Sequence, residues 1–294
     1  MADLLICCTC GTQFSTSDRS ALTNCRICED PRQFVPLAGH TFTTMSEMIS
    51  KHQNKWEQNK IDSCVWSIWT EPRFAIGQRA MLLQTAEGNV LWDCITHLDA
   101  RTVEWINSIG GIRAIVMSHP HFYSTHLEWA KAFQCPVYLS REDEKWLNRP
   151  DTPGVERRFV EGATLTIVPG VTAVKTGGHF DGSMVLHWEK HLFISDTLHT
   201  VPSAYYNKGR QPGTISYVAM WSYPNMIPLP PAAIQKIWEA LKPYEFTATF
   251  GAFMGMDLYG ANLKGRLLES MKIQIRGEGW EQHKLLEEVW DRVD

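Results

Sequence analysis

The stretch SHPHFYSTH, residues 118–126, places His119, His121 and His126 within nine residues of a chain that has 11 histidines in 294. It follows the apolar run IRAIVM (112–117), which reads as a buried strand. Neutral imidazole is a common metal ligand, and two imidazoles one residue apart in a loop can reach a single ion. Two further groups stand at similar places far along the chain: His179 follows VTAVKTGG, and Asp196 follows LFIS. Open α/β sheets present their functional groups at the carboxyl ends of strands. Three strand ends meeting at one edge would gather three imidazoles and a carboxylate, a donor set that suits zinc with one position left for water. His126 and His199 are further candidate ligands. The first reads more simply as a first-turn helix residue and the second as a pocket-lining one.

A second donor set opens the chain. Five of the eight cysteines fall in the first 28 residues, and Cys7-x-x-Cys10 and Cys25-x-x-Cys28 are separated by 14 residues. Each pair can wrap two thiolates around one ion, and two such knuckles complete a tetrahedron. Gly11 suits the tight turn a knuckle needs. A segment this short builds no core of its own, so a structural metal would supply its folding energy. Cys8 is a spare thiol able to stand in for Cys7.

The elements that must position these groups follow from pattern. Residues 1–40 form the ribbon-like segment, and 41–294 form the main domain with its C-terminal helices. PRQFVPLAGHTFTTM (31–45) reads as a linker, and Thr44 or Ser46 caps a short helix over 46–54. CVWSIW, RAMLLQT and NVLWDC read as strands, the last two joined by a hairpin turn at AEG. Asp99 is the predicted N-cap of a helix ended by Gly110-Gly111. IRAIVMS, the helix HFYSTHLEWAKAF, the strand CPVYLS and the short helix REDEKWLN continue a β-α-β-α alternation, which implies a partly parallel sheet. From residue 157 the short segments RRFVEG, TLTIVPG, VTAVKTGG, SMVLHWE and HLFISD predict an antiparallel meander. A helix over 232–242, a strand over 245–253 and a long helix over 260–276 follow. The amphipathic tail 280–291 offers Trp280, Leu285 and Val289 for docking on the surface or on a partner, and a homodimer is one assembly it would allow.

Composition narrows the partners. The chain is 44% hydrophobic and 20% charged, with a formal net charge of −4. No Lys/Arg block offers a basic face to phosphates, so a nucleic-acid partner is not expected. No apolar run approaches the roughly 20 residues of a bilayer span, and MADLLICC lacks the parts of a signal peptide. The expectation is a soluble cytoplasmic protein with a small-molecule substrate, no nucleic acid and no membrane.

Over residues 62–255 the chain resembles the metallo-β-lactamase fold superfamily. VLWDC, SHPHFYSTH, TGGHFDGSMVLHW and FISDTLH carry the likeness. The resemblance implies an α/β fold, an αββα sandwich preceded by the small zinc ribbon. His119 and His121 match the first two positions of the family's H-x-H-x-D-H. His179, flanked by Gly178 and Gly182-Ser183, matches the isolated histidine, and Asp196 matches the strand-end aspartate. The family's Asp and third His fall here on Tyr123 and Ser124, and no histidine stands at 250–255, where the last ligand is expected. Those positions usually hold a second ion. The resemblance therefore implies a mononuclear centre of His119, His121 and His179 with Asp196 at its edge, unless His126 and His199 rebuild the second site.

One zinc on three neutral imidazoles lowers the pKa of bound water to roughly 7 and polarises a carbonyl. The expected reaction is hydrolysis of an acyl bond: lactam, lactone or ester. Asp196 would also take the proton of the water, and Tyr123 would donate to an oxyanion or leaving group. Phe122, Phe180 and Tyr223 are candidate substrate contacts, and Tyr123, Trp221, Phe250 and Phe253 are further pocket candidates; where a few of them line a cleft, a small, neutral substrate, aromatic or not, would fit. The family includes fungal lactam hydrolases acting on benzoxazolinones, and the chain resembles these. Two alternatives come from other classes. A mononuclear Fe(II) sulfur dioxygenase of the same fold would use His119, His179 and Asp196. A metal-binding scaffold would use the ribbon without turnover. The expected cofactors are one catalytic and one structural zinc, with iron the alternative at the catalytic site.

Overall fold

The run Val90, Leu91 and Trp92 is wholly buried, as are Ile115 and Val116 beside it, and Ala114 nearly so. Strands covered on both faces pair in parallel and carry continuous apolar sequence rather than alternation. The computed structural model, which describes residues 3–290, pairs these two runs in parallel. They lie at the middle of a seven-stranded sheet in the order Gln53–Gln58, Val65–Glu71, Ala80–Thr85, Gly88–Trp92, Ala114–Val116, Val137–Ser140 and Arg157–Val160. The first four strands are antiparallel and the last three are parallel additions. The hairpin turn is closed by the Thr85 hydroxyl, which donates to the Gly88 carbonyl over 2.7 Å. The helix Ala100–Ser108 makes the first crossover, its N-cap Asp99 accepting from the Thr102 amide over 2.7 Å. The helix His126–Phe133 makes the second and ends on Gln134 in the left-handed conformation.

These strands and helices belong to one compact unit that ends at Glu161 and includes the ribbon-like segment; a second unit begins at Gly162. In the second, Thr164–Val168, Val171–Lys175, Met184–Trp188 and His191–Phe193 form an antiparallel meander, extended in parallel by Ala248–Phe250, on which Leu258–Tyr259 then pairs antiparallel. The helices Pro231–Leu241 and Leu263–Gly277 contribute Ile234, Ile237, Trp238, Leu241, Leu267 and Met271 to its core, against Val174, Val185 and Leu192. Among the described residues no helix is long and apolar enough to cross a membrane.

Four expectations change. The helix over 46–54 stops at Ile49, and Gln53–Gln58 is an edge strand paired with Val65–Glu71. Local propensity yields there to cross-strand pairing and to the stacking of Trp56 on Trp105, 4.4 Å between ring centres. The linker is also not featureless, because Phe42–Thr44 pairs with Leu5–Cys7. Arg157–Val160 does not join the meander. It closes the edge of the first sheet in parallel with Val137–Ser140, where Arg158 reaches solvent. Of the three tail residues expected to dock, Leu285 is fully buried, whereas Trp280 and Val289 are exposed; Leu286 and Trp290 pack partly buried against the core, and Asp291 lies outside the described residues.

His126 opens its helix buried and hydrogen-bonded on both ring nitrogens. Nδ1 donates to the Tyr123 carbonyl (2.7 Å), and Nε2 accepts from the Arg157 guanidinium (3.2 Å). Burial, and then the positive charge of Arg157, push its pKa down to about 3. The unfolded chain would bind this proton near pH 6.5, so the folded state loses stability as pH falls from about 6.5 towards 3 and is unaffected by this group above that window. His126→Gln is expected to flatten that acid limb in unfolding titrations; an unchanged slope would contradict the burial argument. Trp238→Ala, which empties a fully buried site, is expected to cost about 3–5 kcal/mol, read from chemical denaturation.

Candidate metal centre

The strand Gly88–Trp92 ends on Asp93, whose backbone turns left-handed (φ +59°). That turn points the Asp93 carboxylate at the next strand end, where it accepts from the Ser118 amide over 2.7 Å. The Ser118 hydroxyl lies 2.8 Å from His119 Nδ1. His119 is extended, and Pro120 then starts a single 3-10 turn, Pro120–Phe122, with its fixed φ and missing N–H spent where no partner is needed. His121 projects from that turn, its ring centre 5.1 Å from that of His119. Phe122 is fully buried under His119 at 4.5 Å.

In the second unit His179 sits at the tip of a loop closed on Ser183. The amides of Thr176 and Gly177 both donate to the Ser183 carbonyl (2.9 and 3.0 Å), and the Phe180 amide donates to the Ser183 hydroxyl (2.8 Å). Gly178 is left-handed (φ +94°), and a Cβ there would lie 2.9 Å from Leu229 and 3.1 Å from Ile237. Only glycine lets the chain pass this close to the core and still present the histidine. His179 Nδ1 donates to the Met220 carbonyl over 3.2 Å, which leaves the lone pair on Nε2, the tautomer a metal requires. Asp196 lies in the 3-10 turn Ser195–Thr197 just past the strand His191–Phe193. The Tyr223 hydroxyl donates to the Asp196 main-chain carbonyl over 3.1 Å, and the Tyr223 ring lies against both His179 (5.7 Å) and His199 (5.2 Å). Burial and the nearby Asp196 push the Tyr223 phenol well up. Burial pushes His199 down, partly offset by Asp196.

His119, His121, His179 and Asp196 form one His/Asp cluster: one ligand atom from each lies within 4.8 Å of all the others, and all four residues are buried. Charged and imidazole groups in so small a buried volume fit a cation as their common partner. His126 and His199 stand outside the cluster. Tyr123 is buried beside His126 (5.8 Å) and lines a small cavity with Thr12, Gln13 and Arg149; burial pushes its phenol well up. Phe180 is buried against His179 (5.2 Å). The supporting groups Ser118 and Met220 escape a reading of the sequence. One is a hydroxyl beside a histidine and the other a main-chain carbonyl, which no side-chain pattern announces.

The second cluster is Cys7, Cys10, Cys25 and Cys28, all buried and all reduced. Cys7 Sγ lies 3.7 Å from Cys28 Sγ, and Cys10 Sγ lies 3.6 Å from Cys25 Sγ. Four thiolates at about 2.3 Å from a tetrahedral zinc stand about 3.8 Å apart, so the spacing fits the ion. Cys8 stays outside, half-buried, its amide donating to the Thr41 carbonyl (2.9 Å).

No protein-family model matches the chain. Solved structures share its fold, among them three metallo-β-lactamase-fold proteins. The metallo-β-lactamase DIM-1 aligns over 76% of this chain and 98% of its own, with a TM-score of 0.55 at 13% identity. VMB-1 aligns over the same shares, with a TM-score of 0.52 at 16% identity. The metallo-β-lactamase FIM-1 from Pseudomonas aeruginosa, in its mono-zinc form, covers 77% and 97%, with a TM-score of 0.51 at 11% identity. These likenesses establish a metallo-β-lactamase fold, here with a small N-terminal four-cysteine segment consistent with a zinc ribbon. The uncharacterized protein YmaE of Bacillus subtilis (strain 168) is 41% identical over 253 residues, 84% of this chain and 88% of that one. The chain belongs to the same family as YmaE.

Proposed function

We propose that the chain is a metal-dependent hydrolase opening an acyl bond in a small neutral substrate. The observation that carries this reading is the gathering of three imidazoles and one carboxylate within 4.8 Å. A zinc ion bound there would supply a water with a pKa near 7 and a Lewis acid for a carbonyl. The chain's own residues do the rest. The Met220 carbonyl and the Ser118 hydroxyl orient His179 and His119. Asp196 is the one group of the cluster able to accept the proton of the attacking water, and Tyr223 steadies its turn through the main chain. Tyr123 is the candidate donor to the oxyanion. Phe122 and Phe180, both buried against ligand histidines, would shape the site from beneath, leaving the less buried Tyr223 to meet an aromatic substrate.

A single ion is favoured because Tyr123 and Ser124 stand where the resemblance expects ligands to a second, and because FIM-1 has been solved in a mono-zinc form. A lone cation gives little hold on a phosphate ester, and the chain's net charge of −4 suits a neutral substrate. Cyclic amides and esters, with benzoxazolinones among them, are the class we infer. Four reduced thiols in the ribbon fit a cytoplasmic setting.

Elemental analysis of protein purified without chelators should give two zinc ions per chain, falling to one in His119→Ala. The same variant should lose more than about 100-fold in kcat/KM on nitrophenyl esters, lactones and benzoxazolinone, because even outer partners of ligands are worth 10–100-fold. Iron in place of zinc, with oxygen consumed on a persulfide, would replace hydrolysis by the dioxygenase reading. Tyr123→Phe should lower kcat by about 100-fold if its phenol meets the oxyanion; an unchanged kcat removes it from the chemistry.

A further inference from the structure

The loop that carries His119 and His121 is poorly held by its own backbone. After the turn Pro120–Phe122 it reaches Ser124, a non-glycine residue in the left-handed region (φ +45°), and then rejoins regular structure at His126. Such a residue costs about 1–2 kcal/mol and persists only where its surroundings fix it. Here they are contributed by the ribbon. The Ser124 hydroxyl lies 2.8 Å from the Thr96 hydroxyl, and both are directed at one acceptor, the Gly11 carbonyl, at 3.5 and 3.3 Å. The Gln13 amide donates to the Ser124 carbonyl over 3.3 Å. Thr96 and Ser124 are buried, so losing a partner leaves a hydroxyl dry.

Gly11 closes the first cysteine knuckle. Its amide donates to the Cys7 carbonyl over 2.9 Å, its φ is +81°, and a Cβ there would fall 2.1 Å from Thr96 Oγ1. The direction of the Gly11 carbonyl is therefore set by the fold of the knuckle, and that fold is set by whatever holds Cys7 to Cys10, Cys25 and Cys28. Ser124 occupies the position where the resemblance expects a third histidine. A residue released from ligation grips the ribbon instead.

We propose that Gly11, Thr96 and Ser124 are positioning residues: they clamp the histidine loop to the four-cysteine ribbon, so that metal in the ribbon preforms the ligand pair His119–His121. The inference rests on the metal-binding reading of those histidines. The experiment loads the full chain with cobalt(II) and titrates it against a chelator. Thiolate-to-cobalt charge-transfer absorption reports the ribbon, and ligand-field bands without that absorption report the imidazole site. Thr96→Val removes the bridging hydroxyl at nearly constant shape, and Ser124→Gly removes the other while relieving its φ. Both are expected to keep the thiolate-bound ion at wild-type affinity and to weaken the imidazole site by about 10–100-fold, the scale of lost outer-shell support. Thr96→Ser should restore that affinity to within about threefold. Wild-type affinity at the imidazole site in both variants, or loss of both ions together, overturns the clamp. A wild-type chain that holds only the thiolate-bound ion overturns the metal reading itself, and the clamp with it.

Discussion

Three imidazoles and a carboxylate buried within 4.8 Å of one another impose the main constraint on this chain. Desolvating such groups is costly unless a shared partner compensates, and two protonated imidazoles this close would repel. The surrounding structure fixes the ring nitrogens of two of the four as ligation would require. His179 is held in one tautomer by a main-chain carbonyl, and His119 stands beside a hydroxyl whose own amide is tied to Asp93. Packing alone needs no such orientation of ring nitrogens; coordination does.

Both halves of the centre rest on backbone forced out of ordinary conformations at strand ends. Asp93, Ser124 and Ser195 are left-handed without being glycine, and Gly177 and Gly178 are left-handed before His179. Ala75, Gln134, Glu189 and Met226 are left-handed at turns elsewhere, but no such residue lies within the buried strands that lead to the cluster. This division is physically reasonable. Buried apolar strands such as Val90–Trp92 and Ile115–Val116 supply rigidity, and short irregular turns aim the donors.

The chemistry was more legible in the sequence than the scaffold. Histidines packed behind an apolar run, a glycine pair before His179 and an aspartate at a strand end are local patterns with few other uses, as are paired C-x-x-C knuckles. The strand Gln53–Gln58 was hidden because its residues are polar and its identity comes from pairing and from Trp56 on Trp105. Arg157–Val160 looked like the start of the meander, since nothing local distinguishes a parallel edge strand from an antiparallel one. Met220 and Gly11 act through carbonyls, so their roles depend on where the chain goes rather than on which side chain it carries.

The departures from the family pattern at Tyr123 and Ser124 gain meaning once placed. A histidine at 124 would need to turn outward to ligate, and its imidazole would not fit where a small hydroxyl lies 2.8 Å from Thr96 in a buried contact with Gly11. A carboxylate at 123 would be buried, and it would meet Asp143 and Asp93 with the Arg157 guanidinium as a partial offset, all three already felt by the Tyr123 phenol. Tyrosine brings no charge there, and serine brings a hydroxyl short enough for the ribbon to approach. Seating the four-cysteine segment against this loop therefore competes with placing a bulky imidazole at 124, where the buried contact with Gly11 and Thr96 has room for a small hydroxyl.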